Sequence, residues 1–116
     1  VKREGIVNCW EHKGFYDAVI ATGKKNLIMA GVTTDVCLVF PSISAAEEGF
    51  NVQAVMDASG SPFNLSEDLS QQRMAKAGVV LTATNTLMAE IVQDWARPEG
   101  GDLLGILFTD VLPSMA

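Results

Sequence analysis

Hydrophobic and polar positions switch between two periods along this chain, and the switching predicts the order of its elements. Residues Gly14 to Thr22, "GFYDAVIAT", set Phe15, Ala18, Val19 and Ala21 or Thr22 at helical spacing, and Gly23 follows where helices commonly stop. "NLIMA", Asn26 to Ala30, is an unbroken apolar run too short for a helix and bounded by Lys24-Lys25 and Gly31. It reads as a central parallel strand covered on both faces. From Thr34 the steps of three and four return through Val36, Val39, Phe40, Ile43, Ala46 and Phe50, with Thr33 or Thr34 able to cap the start and Gly49 as the stop. Pro41 falls inside that run and predicts a kink or a missing backbone hydrogen bond, since proline in a helix interior costs about 3 kcal/mol.

The same pair of periods then repeats. Asn51 onward, "NVQAVMDASG", gives a strand ending near Asp57, and a helix follows from about Ser66 to Ala77 with Gly78 after it. Val79 to Thr82 is a third strand. "TNTLMAEIVQDWA" is a further helix capped at Thr84 or Asn85, with Leu87, Ile91 and Trp95 four residues apart. No Asn-Gly or Asp-Gly pair joins two strands, and helical crossovers require parallel strands connected right-handedly, so the expected fold class is α/β with a three-layer parallel sheet. "RPEGGD" reads as a linker, and the period of "LLGILFTDVLP" leaves a terminal helix and an extended arm both open. The expected organisation is one domain, with a core over residues 1–97 and a C-terminal arm over 98–116.

Composition narrows the function classes. Of 116 residues, 48% are hydrophobic and 19% charged, enough apolar material for a core. Eight Lys and Arg against fourteen Asp and Glu leave a net charge of -6, which argues against nucleic acid and membrane partners. No run approaches the roughly 20 apolar residues of a membrane span, and the N-terminus lacks the order of a signal peptide, so a cytoplasmic location is expected. Cys9 and Cys37 have neither disulfide-scaffold nor metal-ligand spacing, and both are expected to be reduced thiols. Val1 rather than a methionine opens the chain, which reads as part of something longer.

The candidate chemistry centres on "MAGVTTDVCLVF", where the first predicted strand gives way to a helix. Ligands in open parallel sheets gather beyond the carboxyl ends of strands. Cys37 would sit in the first turn of the helix there, where unpaired backbone N–H groups favour a thiolate and can donate to an oxyanion. Cysteine is also among the most often buried residues, and on spacing alone a packing role for Cys37 remains open. Cys9, beside Trp10 with no helix start behind it, reads as packing. His12, the only histidine, reads as an exposed cap-region residue, and Asp57 as a turn cap outside the catalytic set.

"NLIMAGVTTDVCLVFPSISAAEEGFNVQAVMDASG" resembles the core of the isochorismatase-like cysteine hydrolases: an apolar strand, A-G-V-x-T-[DE]-x-C, a helix, a glycine, and a strand ending in D-A. "REGIVNCW", "ATGKKNLIMAGV" and "FPSISAAEEGF" most resemble the YcaC-like branch, and the likeness runs from about Lys2 to Pro113. The resemblance implies a flavodoxin-like three-layer sheet and an Asp-Lys-Cys triad, with Cys37 as the nucleophile attacking an amide or related carbon to form a thioester-like intermediate. It implies a cis peptide before Thr33, aiming the N–H groups of Thr33 and Cys37 at the oxyanion. Lys2 matches the triad lysine, although an exposed basic residue beside Arg3 is an equal reading of it. Asn8 and Trp10 match positions that shape the pocket rim, with a core tryptophan the other reading of Trp10.

The chain also departs from the family pattern. The triad aspartate belongs to a D-x-Q motif ending the family's first strand, and no such motif precedes Lys2. The expectation is therefore the C-terminal part of the domain, lacking its N-terminal strand and helix, or a catalytically incomplete fragment. The resemblance further implies a small-molecule substrate, a homo-oligomer, and no cofactor; the metal-binding Asp-x-His cluster of the nicotinamidase branch has no counterpart, so no metal is expected. Two other readings stand beside the hydrolase: a non-catalytic oligomeric scaffold or binding domain keeping the fold, and a thiol redox sensor with Cys9 as the resolving partner.

Overall fold

The computed structural model describes residues 1–112. A 3₁₀ turn, Cys9–Glu11, leads into helix α1, Lys13–Ala21. His12 caps α1 by accepting a hydrogen bond from the Phe15 N–H at Nδ1, 3.1 Å, the cap-region role expected of it. Strand β1, Asn26–Met29, follows, then a π-helical turn, Thr34–Leu38, that runs into helix α2, Val39–Glu47. Strand β2, Asn51–Val55, ends in a 3₁₀ turn at Met56–Ala58 and leads to helix α3, Asn64–Lys76. Strand β3, Val80–Thr82, and helix α4, Thr84–Val92, complete the predicted alternation. Gly49 and Gly78 close α2 and α3 at φ +99° and +94°, values an L side chain rarely adopts.

All three strands are parallel, in the order β1-β2-β3, with Asn26 opposite Asn51 and Gln53 opposite Val80. A sequential order with right-handed crossovers puts both connecting helices on one face of the sheet. The packing agrees: α2 and α3 meet each other, β2 and β3. Leu38, Val39, Ala45, Phe50, Val52, Ala54, Met74 and Val79 form the core with Trp10, and Leu27, Met29 and Leu81 pack onto it from the sheet. On the opposite face Ile28 and Val80 are 54% and 56% exposed, and an open groove runs between them and Leu87 and Ile91 of α4.

This corrects two expectations about β1. It is an edge strand of the described sheet, because β2 takes the middle, and only one of its faces is covered, because both crossovers lie on the same side.

Other elements differ from the sequence reading for local reasons. The single helix expected from Thr34 is a π turn followed by α2, which moves Pro41 into the first turn of α2, where its missing N–H has no intrahelical partner to lose. Neither Thr33 nor Thr34 caps that start with its side chain; the Thr34 hydroxyl is buried and donates to Glu67 instead. Helix α4 stops at Val92, short of Trp95, because Gln93 turns to φ 64° and the Asp94 N–H and Arg97 Nη1 both donate to the Val92 carbonyl oxygen. "LLGILFTDVLP" is helical rather than extended through its described part: α5, Gly100–Ile106, continues as a π turn over Leu107–Val111. Residues 113–116 of the arm lie outside the described residues.

Candidate active site

The loop after β1 stays extended long enough for Val32 to make a parallel bridge with Gly60, so the two strand ends run together at the carboxyl edge of the sheet. The Val32–Thr33 peptide there is cis. The chain then tightens around one acceptor: the Thr33 carbonyl oxygen receives the N–H groups of Val36 (3.3 Å), Cys37 (2.8 Å) and Leu38 (3.3 Å). This wide turn sorts the side chains. Thr34 and Leu38 are buried, while Cys37 is exposed beyond the strand ends. An open cleft at the same sheet edge is lined by Val32 and Thr33 and by Ser59, Gly60 and Pro62.

A layer of oxygen atoms backs the turn. Glu67, in the first turn of α3, accepts from the Thr34 hydroxyl (3.3 Å), the Ser61 hydroxyl (2.6 Å) and the Gln71 side-chain amide (3.3 Å). Ser61 Oγ in turn accepts from the Asp35 N–H at 3.1 Å, and the Thr34 N–H donates to the Gly60 carbonyl oxygen at 2.9 Å. The Thr33 hydroxyl, then that of Ser66, holds the Asp35 carboxyl below the usual carboxylate range. Asp35 Oδ1 is shielded from solvent with no hydrogen bond of standard geometry.

The structure brings Cys37 and Thr33 together in one turn. The backbone N–H of Cys37, expected to face an oxyanion, is committed to the Thr33 carbonyl oxygen four residues back. The Thr33 N–H has no backbone partner among the described residues. Asn8 and Trp10 lie against the C-terminal half of α2: Asn8 Nδ2 donates to Ser44 Oγ at 2.9 Å, and Trp10 Nε1 to Glu48 Oε1 at 3.5 Å. Trp10 is buried there, edge-on to Phe15, Tyr16 and Phe50, which suits a core tryptophan. Lys2 is exposed and makes no side-chain hydrogen bond or ion pair among the described residues. Cys9 is buried, and burial pushes its thiol pKa up, with nearby Cys37 adding in the same direction.

Sequence reasoning missed Ser61, Glu67 and Asp35 as parts of the site. Their signal was local and ordinary: "ASGSPF" reads as a turn and "LSED" as a helix start, and only the tertiary fold sets both beneath the cysteine turn. Asp57, read as a turn cap, instead holds the start of a distant helix: its Oδ1 accepts both the Thr84 N–H and the Thr84 hydroxyl, each at 2.9 Å. Among the described residues no helix is long and apolar enough to cross a membrane.

Comparison with known proteins gives the arrangement its context. The Isochorismatase domain family matches residues 2–86. The Escherichia coli (strain K12) protein named "Probable hydrolase YcaC" is 41% identical over 113 residues, covering 97% of this chain and 53% of that protein. The solved structure of the Escherichia coli YcaC gene product, described as an octameric hydrolase of unknown specificity, superposes with a TM-score of 0.89. YcaC from Pseudomonas aeruginosa, solved with hexane-2,5-diol and covalent acrylamide, is 42% identical with a TM-score of 0.89, over 97% of this chain and 55% of that one. A nicotinamidase from Acinetobacter baumanii is 27% identical with a TM-score of 0.57 over 64% of this chain. The chain spans about half the length of the YcaC proteins it matches. On the family match and the identity, this chain belongs to the isochorismatase family.

Proposed function

We propose that this chain carries the nucleophile of a cysteine hydrolase that cleaves a small amide, carbamoyl or related substrate through a covalent Cys37 intermediate. The observation that carries the reading is the exposed Cys37 thiol at the carboxyl edge of a parallel sheet, in a turn whose neighbours Thr34 and Leu38 are buried anchors. The nicotinamidase likeness supports amide-type chemistry.

In the proposed reaction the thiolate attacks the carbonyl carbon, forming a C–S bond and placing charge on the carbonyl oxygen, to which the Thr33 N–H is free to donate. Collapse breaks the C–N bond, and the amine leaves with the proton that the Cys37 thiol gave up on forming the thiolate. Water then cleaves the thioester to the acid and restores the thiol. Lys2 is proposed as the ammonium that stabilises developing negative charge, by its match to the family's triad position. The triad aspartate is proposed to come from the family's first strand. Asn8 and Trp10 enter as residues that hold the N-terminal segment on α2 and so set the rim of the site. The chemistry needs no organic cofactor.

We read residues 1–97 as the C-terminal part of the hydrolase domain and 98–116 as its arm. The relatives' length and the uncovered sheet face support this. The octameric YcaC relative supports a homo-oligomer, and two free thiols fit the cytoplasm.

The test is iodoacetamide labelling of the folded chain at neutral pH, read by peptide mass spectrometry, with Cys9 as internal control and the guanidinium-unfolded chain as reference. Cys37 is expected to label faster than in the unfolded chain while Cys9 stays protected, and Cys37→Ser is expected to abolish amide hydrolysis by the chain assembled with a family N-terminal half. Equal labelling of Cys37 folded and unfolded would sink the nucleophile. That result would favour the non-catalytic scaffold, a reading supported by the engagement of the Cys37 N–H with Thr33.

A further inference from the structure

Resting on the reading of Cys37 as the nucleophile, we infer that Glu67, acting through Ser61, is a positioning residue that fixes the Thr33–Cys37 turn against the start of α3. Two consecutive residues of the turn are tied down by this pair. The buried Thr34 hydroxyl donates to one carboxylate oxygen, and the Asp35 N–H reaches the other through the Ser61 hydroxyl.

The direction of the relay follows from the donor inventory. A carboxylate only accepts, so Ser61 spends its single proton on Glu67 and is left with lone pairs for the Asp35 N–H. Hydrogen bonds to an ionised acceptor are the stronger kind, and the Ser61–Glu67 contact is short at 2.6 Å. Glu67 stands in the first turn of α3, where a negative charge is favoured. Gln71, one turn later, donates to the same oxygen as Thr34 and keeps the carboxylate in place.

The geometry makes the cysteine turn dependent on this support. Three N–H groups in succession already converge on the Thr33 carbonyl oxygen, so the turn has no backbone donor of its own aimed at α3 between Val36 and Leu38. Its attachment to the rest of the fold at this end runs through Thr34 and Asp35, onto Gly60, Ser61 and Glu67. Where those two residues are held, Cys37 keeps its exposed place after the strand end; where they are released, the thiol samples other directions. None of these contacts reaches the reacting atoms, so Glu67 and Ser61 position the nucleophile without touching substrate.

The experiment uses the full chain with Ser61→Ala, Glu67→Ala and Glu67→Gln. Two readouts are taken on each: amide hydrogen exchange of Thr34 to Leu38, and the rate of Cys37 alkylation by iodoacetamide relative to the unfolded chain. Glutamine keeps the length and one acceptor oxygen, and so serves as the conservative rescue. Ser61→Ala and Glu67→Ala are expected to speed exchange at Thr34 and Asp35 and to slow Cys37 alkylation by at least about tenfold, the scale of one lost hydrogen bond to a charged group. Glu67→Gln is expected to recover part of both. Cys9 should stay protected and exchange in β2 unchanged, which separates a positioning role from a general loss of fold.

Faster exchange with unchanged Cys37 labelling would overturn the inference, because the tie would then exist without directing the thiol. Unchanged exchange in both alanine variants would overturn it as well. Failure of the nucleophile reading looks different: wild-type Cys37 would label no faster than in the unfolded chain, and exchange alone would then decide whether Glu67 holds the turn.

Discussion

Cys9 and Cys37 show how one side chain takes opposite characters from its surroundings, one buried and pushed toward the neutral thiol, the other open to solvent. The pH consequence for Cys9 has a definite sign. A thiol whose pKa is higher folded than unfolded contributes stability that is fully present below the unfolded value, about 8.5, and is lost as pH rises through the folded one. Chemical denaturation is therefore expected to show falling stability above about pH 9, and Cys9→Ala to flatten that limb. An unchanged slope in the variant would mean that another group governs it. Asp35 carries the reverse sign: held below the usual range by the Thr33 and Ser66 hydroxyls, it stabilises above about pH 3.9, and the contribution is lost as pH falls through its folded value. Asp35→Asn should remove that part of the acid sensitivity. At this scale the motif around Cys37 was legible because its residues are contiguous. Ser61 and Glu67 were not, since nothing in a turn and a helix start says which distant loop they will meet.

Helix α4 is capped from another part of the chain, and that defines what its start depends on. Ala83 offers no cap of its own, and Asp57, across from it at the end of β2, accepts two hydrogen bonds from Thr84. Asp57→Ala is expected to cost about 1 kcal/mol, the usual scale of a lost N-cap, and Asp57→Asn less, because the amide oxygen can still accept. Urea titration with both variants checks this; a neutral alanine variant would mean that the α4 start is held by packing instead. Strand and helix types were readable in order because short apolar runs alternate with longer helical stretches that end at glycines. Their ends were less so. Trp95 fits the spacing of Leu87 and Ile91, yet backbone conformation at Gln93 ends the helix first. The π turn before α2 was hidden as well, because i to i+5 bonding at Thr33 and Thr34 leaves no distinct side-chain pattern, and Pro41 was its sole trace.

The molecule as a whole is more open than its length requires. Its radius of gyration is 15.5 Å, against about 13 Å for a compact domain of this size. Both crossover helices lie on one face of the sheet and leave Ile28 and Val80 on the other. Sedimentation velocity is expected to find the chain self-associating as concentration rises, and the pair Ile28→Thr with Val80→Thr to weaken this; a monomeric wild type would refute it. The sequence could not reveal that face, because a run such as "NLIMA" has the same pattern whether one or both of its sides are covered. The anchoring of Trp10 on α2 also has an optical consequence. The chain has two tryptophans, one buried against Glu48 and Phe50 and the other, Trp95, in the connection after α4. The blue component of the intrinsic fluorescence therefore belongs to Trp10, and a red shift of that component reports the moment the N-terminal segment lets go of the second helix.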